Sequence, residues 1–516
     1  MKRLLPFLFL GTTVFAQKAP ISNRTTYQPP VFADQNRLQK IQAAFPIVER
    51  MFRERAEKAH YPGLAYGIVL DGKLVYAGGI GLANVEKKTP ATAKSVFRIA
   101  SMTKSITAMA ILKLRDEGKI RLDEPVATYV PALKTLTPLT ADAPTITVRH
   151  CMTHAAGFPE DNPWGDRQLA DSDAELAKLI GSGLSLSNPP GITFEYSNLG
   201  FALLGQIITN VSGKPYQQYI TETILKPLGM NDTHWEYTKA PADRLAPGYR
   251  WLNNSWVFEP SLHDAGSWGA MGGLMTTIED FSKYVTLHLD AWPARNESEK
   301  GPVKRSSIRE MQQPWNFVAL NAQARTVGSA PCPLTVGYGY GLNWTKDCRD
   351  RVAVGHSGGL PGFGSQWRIL PEYGLGVISF ANLTYAGTGG VNAAVLDTLI
   401  AIGGLKPRQL PVSPILALRK NQLVGLLPDW KGAEASGIFA ENFFPDQSAD
   451  LRRKQVQELY TKVGRIVRVS ELVPENQLRG YFLLEGERGK INVFFTLTPE
   501  NPGLIQQLDF QEVLQK

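Results

Sequence analysis

Phe97-Arg98-Ile99-Ala100-Ser101-Met102-Thr103-Lys104 decides how the rest of this chain is read. It sets Ser-x-x-Lys at the head of an apolar-periodic segment that runs to Glu117 and stops at Gly118, so the spacing predicts a helix over 101–117. Positions i and i+3 share a helix face, which puts Lys104 beside Ser101. A helix N-terminus also favours negative charge. A serine hydroxyl is a poor nucleophile until a base takes its proton, and a buried lysine held neutral, or held near another cation, can be that base. Alone, the pair equally fits a helix-capping serine with a lysine on the first turn.

Two further motifs change that balance. Phe194-Glu195-Tyr196-Ser197-Asn198 stands just before a predicted helix at Leu199. Tyr196 offers a phenol that can relay a proton if a neighbouring ammonium lowers its pKa. Asn198 offers an amide for a substrate carbonyl and for Lys104. Gly355-His356-Ser357-Gly358-Gly359 ends a predicted strand, and its glycines let backbone approach a ligand closely. A backbone N–H there, with that of Ser101, would make an oxyanion hole. The bland alternatives are a buried tyrosine with a capping asparagine, and a tight turn between strands.

In this order the three motifs resemble the serine β-lactamase/penicillin-binding-protein superfamily, in the branch of class C β-lactamases, D-alanyl-D-alanine carboxypeptidases and related esterases. That branch carries Ser-x-x-Lys, then Tyr-x-Asn, then Lys-Thr-Gly or His-x-Gly. Arg149–Gly157, Trp268–Leu274 with Glu279-Asp280, Tyr338–Leu342 and Gly374–Gly376 are similar to its other conserved segments. The resemblance covers about residues 36–402. It implies that Ser101 forms an acyl-enzyme, that Lys104 and Tyr196 share the proton transfers, and that Asn198, His356, Ser357, Gly358 and Gly359 bind substrate. The backbone N–H groups of Ser101 and Gly359 would form the oxyanion hole. It implies no metal and no cofactor, and a small-molecule or peptide acyl donor as partner. One departure bears on specificity: His356 stands where Lys-Thr-Gly carries a cation. Histidine is largely neutral above pH ~7. That points away from strong β-lactam hydrolysis and toward esterase or peptidase activity on another acyl donor.

Outward from these motifs, the chain reads as strands at both ends of a mostly helical middle. A helix is expected over Asn36–Ala59. Next comes a hairpin, Leu64–Leu70 and Lys73–Ala77, joined by Asp71-Gly72. Later strands are expected at 337–344, 352–355, 364–370 and 375–381, then a helix at 390–402. Terminal strands can join one sheet, so the fold class is α+β: an antiparallel sheet flanked by helices plus a helical subdomain, β-lactamase/transpeptidase-like by the resemblance. Residues 404–431 contain several prolines and read as a linker. Residues 432–516 read as a small C-terminal α+β domain without a polar constellation.

Residues 1–16 read as a signal peptide: Lys2 and Arg3, an apolar stretch from Leu4 to Phe15, and a small-residue cleavage site at Val14-Phe15-Ala16. Residues 17–35 read as a linker. The mature chain is then expected to be exported, periplasmic or secreted, without a transmembrane anchor and with possible cell-wall association. An oxidising compartment permits a Cys332–Cys348 bridge; the alternative is three free buried thiols. The net charge of +8 is dispersed, with 55 basic against 47 acidic residues, so nothing forms the concentrated stripe that nucleic-acid binding needs.

Three other readings compete with this one. Gly355–Gly359 also fits G-x-S-x-G, the nucleophile elbow of α/β-hydrolases, but that fold needs a later catalytic histidine, and His356 is the last in the chain. His150 and His154 have metal-pair spacing, without the intervening glutamate or a third ligand. A peptidoglycan- or penicillin-binding or sensor protein would fit a superfamily member that had lost its catalytic residues, whereas this chain keeps Ser101, Lys104 and Tyr196.

Overall fold

Asp71 and Gly72 both take positive φ, 49° and 76°. Those angles suit a two-residue type I′ turn, and they join β1 (Gly63–Leu70) to β2 (Lys73–Asn84). The computed structural model describes residues 27–260, 263–325 and 330–513. The expected signal peptide over 1–16, and the first part of the 17–35 linker, lie outside the described residues. Among those described, no helix is long and apolar enough to cross a membrane.

The hairpin is one side of a nine-stranded antiparallel sheet. Its other strands are β3 (Thr89–Pro90), β4 (Asn316–Asn321), β5 (Leu334–Tyr338), β6 (Asn343–Lys346), β7 (Val352–Leu360), β8 (Phe363–Leu370) and β9 (Leu375–Ala381). The order is β3-β2-β1-β9-β8-β7-β6-β5-β4, so strands from both ends of residues 63–381 meet at the β1–β9 pair. Every residue of β1 is buried, because its two faces feed two cores. Ala65 and Val69 face a large core shared with the helical middle. Leu64, Tyr66, Ile68 and Leu70 face a second core shared with α1 (Phe45–Lys58). Full burial of each such large side chain contributes about 1.5–3 kcal/mol. The fold is thus the expected α+β arrangement, with α2 (Thr103–Asp116), α3 (Asn198–Ser212) and α4 (Ile278–Asp290) on one side of the sheet, and α1 and α5 (Gly389–Gly403) on the other.

Several boundaries differ from the sequence reading. The helix expected over 36–59 is two, Arg37–Gln42 and Phe45–Lys58. Pro46 explains the break, since proline is tolerated in a first turn but not in a helix interior. The strand expected over 337–344 is β5 and β6, separated where Gly341 turns at φ 65° against the backbone of Lys104. β7 runs five residues past the expected Gly355. A hairpin at Gly248–Leu252 and Ser255–Glu259, and the edge strand β4, were not anticipated.

The chain divides into two compact units, with residues 32–408 in one and 409 onward in the other. The second contains α6 (Pro414–Leu426) inside the stretch read as a linker, residues 404–431. Leu416 and Leu423 of that helix are fully buried in the unit's own core, so the linker reading is corrected there. The core continues through α7 (Ala449–Val463) and a five-stranded antiparallel sheet. The sheet's two central strands, Arg479–Gly486 and Lys490–Leu497, alternate buried and half-exposed residues, which marks one covered face.

The first unit has its own core, so a fragment of residues 32–408 is expected to unfold in a single cooperative transition. Calorimetry of that fragment checks this; a broad, non-cooperative melt would show that it depends on the rest of the chain. A cut at Gly403 is expected to be worse. It removes Leu405 from the second core, and Arg408, whose backbone N–H bonds the Glu372 carbonyl.

Candidate active site

Ala100 has φ 50°, a left-handed conformation that costs a non-glycine residue energy, and Ser101 follows it. Ser101 therefore does not begin the α-helix as expected. It lies in a 3₁₀ turn, Ala100–Met102, and α2 starts at Thr103. The turn keeps Ser101 and Lys104 together: Lys104 Nζ lies 3.1 Å from Ser101 Oγ. Nζ donates to Asn198 Oδ1 at 2.6 Å and to the Met271 carbonyl at 2.9 Å, with the Met271 sulfur at 3.9 Å. Lys104 is fully buried, with no carboxylate in ion-pair contact among the described residues. Burial pulls its pKa from the usual 10.5 down to about 7, against the more distant charges of Asp166, Asp161 and Glu160.

The partners decide what a neutral Lys104 can do. A carbonyl and an amide oxygen can only accept hydrogen bonds, so they take the two N–H bonds of the neutral amine. Its lone pair is left for the Ser101 hydroxyl. Asn198 is oriented for this by its own Nδ2, which donates to Asn162 Oδ1 at 2.6 Å. Asp161 fixes the backbone beneath it. Its two carboxylate oxygens accept the N–H groups of Asn198 and Leu199 at 2.7 and 2.8 Å, capping α3 from 37 residues away in sequence. An Asp161→Ala variant should lose about 1–2 kcal/mol of stability, the usual cost of a lost cap. Its kcat should fall with the loosened Asn198. Thermal melts and steady-state kinetics check both, and an unchanged Tm would show that the cap carries no load.

Met271 arrives through the segment Trp268–Leu274. Its glycines are required by close approach: a Cβ on Gly269 would lie 2.3 Å from the Tyr216 hydroxyl, and one on Gly273 2.6 Å from Ala265. Gly205 of α3 likewise leaves room for Ala270. The short helix Gly269–Gly272 can therefore sit against α2 and α3 and present the Met271 carbonyl to Lys104.

Tyr196 departs from its sequence reading. Its phenol is not lowered: burial raises its pKa above the usual 10, opposed by a hydrogen bond with Ser101. It stays protonated, so it can pass a proton but cannot stand as phenolate base. Its ring lies 4.9 Å from Lys104 Nζ and 4.2 Å from the His154 ring.

β7 supplies the opposite wall. It pairs with β6 only as far as Gly355, and beyond that lies against Ile99 and Ala100. A Cβ on Gly358 would be 2.2 Å from the Ile99 carbonyl, and Ser365 Oγ donates to that same carbonyl at 2.7 Å. Gly359 faces the Tyr385 ring, and Ser357 is exposed. Ser357 lies within a strand rather than on a strand-to-helix turn, which excludes the nucleophile-elbow reading.

His356 is buried and belongs to a directed hydrogen-bond chain. The Ser197 N–H donates to His154 Nδ1 at 3.0 Å, which leaves His154 Nε2 as the donor to Tyr338 Oη at 3.2 Å. Tyr338 Oη then donates to His356 Nε2 at 2.9 Å, and His356 Nδ1 donates to the Ser357 carbonyl at 2.5 Å. Every member is satisfied with both imidazoles neutral. Burial and the nearby Lys104 agree, pushing His356 down to about 3 and His154 well below its usual value. His150 has another task, its Nδ1 accepting from the Thr147 N–H in a capping box. His150 and His154 are thus not a metal pair.

The structure thus brings Ser101, Lys104, Tyr196, Asn198 and His356 together, with Gly358 and Gly359 along one side. Sequence reasoning missed Asp161, Asn162, the Met271 carbonyl, His154 as a positioning group, and Tyr338. Near the site, Trp164 is 51% exposed and meets buried Trp268 edge-on, while Phe158 is core.

The Beta-lactamase family model matches residues 48–401. This chain belongs to the Beta-lactamase family. Protein flp of Staphylococcus aureus (strain COL) is 30% identical over 339 residues, which is 65% of this chain and 62% of that protein. The chain thus spans somewhat under two thirds of that relative's length. Beta-lactamase-like protein 2 of Dictyostelium discoideum is 26% identical over 503 residues, 92% of this chain and 86% of its own. The octameric penicillin-binding protein homologue from Pyrococcus abyssi shares the fold, with a TM-score of 0.59 over 91% of this chain and 96% of that one, at 23% identity. The family is one of serine acyl-enzyme chemistry on small acyl substrates, and the family match ends before the C-terminal unit.

Proposed function

We propose that this protein is an exported serine hydrolase of the class C-related branch, acting on esters or amides through an acyl-enzyme on Ser101. The observation that carries the reading is the Lys104 amine, buried, pulled toward neutrality, and directed at Ser101 Oγ by two partners that can only accept. Lys104 takes the Ser101 proton as Oγ attacks the acyl carbon. Tyr196, protonated and bonded to Ser101, gives a proton to the leaving group and takes back the one that Lys104 received, which returns the amine to neutrality. Backbone N–H groups of Ser101 and Gly359 hold the oxyanion. Water, deprotonated by the same amine, then releases the acid. The Cys332–Cys348 disulfide supports an oxidising compartment and hence export. The only other cysteine, Cys151, is free and buried.

His356 supports neutral substrates over anionic ones. Burial keeps it neutral, so His356 supplies no cation for a substrate carboxylate. A panel of short-chain nitrophenyl esters, a chromogenic cephalosporin and a D-Ala-D-Ala peptide tests this, each with a Ser101→Ala control. Esters should be turned over at least about tenfold faster than the two carboxylate-bearing substrates, the effect of one charge-assisted contact. Preference for the cephalosporin or the peptide would contradict it.

A further inference from the structure

The face of the sheet behind β7 and β8 carries an arginine cavity that the hydrolase chemistry does not use. Alternation along β8 sends Trp367 and Ile369 into the core on the Ser101 side. Arg368, between them, goes to the other face, with Leu396 and Asp397 of α5 nearby. A cavity of about 170 Å³ lies there, and its walls include Arg349, Arg351, Arg368, Thr345, Asp347 and Asp397. Arg325 also reaches it.

The carboxylates are already spoken for. Arg351 sits between them, 2.8 Å from Asp347 and 2.7 Å from Asp397, and Arg349 is 3.4 Å from both. Asp347 also accepts the backbone N–H groups of Arg349 and Arg351, at 2.9 and 3.0 Å. Arg368 is placed differently. Its guanidinium donates to Thr345 Oγ1 at 2.8 Å, and among the described residues no carboxylate is within ion-pair distance. Arg349 and Arg351 take up both carboxylates, which leaves Arg368 without a counter-charge of its own in the cavity. A largely buried guanidinium without its counter-charge is costly, and burial accordingly lowers the pKa of Arg368.

We infer that this cavity binds a small oxyanion, a carboxylate or a phosphate, on the fork of Arg368. A planar guanidinium matches either group with two parallel hydrogen bonds. Thr345 steadies the guanidinium, and Arg349 and Arg351 add positive field. Arg368 is directly across the strand pair from Gly355, the neighbour of His356. An anion there would sit behind the strand that carries Gly358 and Gly359.

Thermal melts and calorimetric titrations of the full chain test this, using potassium phosphate and sodium acetate against potassium chloride at matched ionic strength. At least one of the two oxyanions should bind saturably and raise Tm by about 2 °C or more, as mass action predicts near saturation. Phosphate alone or acetate alone names the source. The effect should survive Ser101→Ala and vanish in Arg368→Gln. Ala393→Leu, which fills the cavity wall while leaving every arginine, should also abolish it, so the test holds even if Arg368→Gln does not fold. A Tm response no greater than that to chloride, or one that persists in a folded Arg368→Gln or Ala393→Leu chain, would overturn the inference.

Discussion

Ser101→Ala should lower kcat by about 10³- to 10⁶-fold on any substrate the enzyme accepts, with the fold intact. In the proposed reaction the hydroxyl is the one group that forms and breaks a bond to the acyl carbon, and no neighbour can replace it. Tyr196 is held protonated, His356 is neutral and engaged at both nitrogens, and Ser357 lies exposed in a strand. Removing one oxygen from a half-polar corner should barely move Tm. Steady-state kinetics on the best ester of the panel, beside a thermal melt, reads both. Activity within about tenfold of wild type would mean that another nucleophile does the chemistry.

Lys104→Met should be nearly as damaging, at about 10²- to 10⁴-fold in kcat, the usual worth of a general base. It should also change two pH dependences. Lys104 works when neutral, so wild-type kcat/KM should rise as pH increases through about 7 and level off above it. In Lys104→Met the residual rate should lack that limb. Stability carries the same signature. The usual lysine value of 10.5 applies to the unfolded chain and about 7 to the folded one, so between those values the unfolded chain binds the extra proton. Wild-type stability should therefore fall as pH drops from 10.5 toward 7 and flatten below 7, relative to Lys104→Met at the same pH. Parallel stability profiles for the two proteins would show that Lys104 is not held near neutrality by the fold.

What the sequence disclosed follows from how far each contact reaches. Ser101 and Lys104 are three residues apart, and Tyr196-Ser197-Asn198 and His356-Ser357-Gly358 are contiguous, so their spacing could be read directly. Asp161 and Asn162 act on Asn198 across a loop, and Met271 acts through a carbonyl that any residue could supply. No local pattern marks such groups. Beyond its place in the family-like segment Arg149–Gly157, His154 reads in sequence as half of a metal pair, because its partner, Tyr338, stands 184 residues away. The lowered pKa that a relay through Tyr196 would use is not found, because burial, invisible in sequence, outweighs the hydrogen bond with Ser101.

The same division holds for the fold. Asp71-Gly72 announced its hairpin. Asn253-Asn254, with φ 50° and 58° between aromatic-rich strands, carried an equivalent signal that went unread. β4 gave none, since Asn316–Asn321 is an edge strand with little buried surface and hence no alternation. In 404–431 the prolines masked α6, though Pro414 sits at the start of that helix, where proline is well tolerated.

The central claim is a covalent bond to one oxygen, and mass spectrometry of the protein treated with a fluorophosphonate reads it most directly. The account predicts one stoichiometric adduct on the peptide that contains Ser101, formed faster as pH rises through about 7 and absent from Ser101→Ala. No adduct on the folded protein, or an adduct of equal yield in Ser101→Ala, would contradict it.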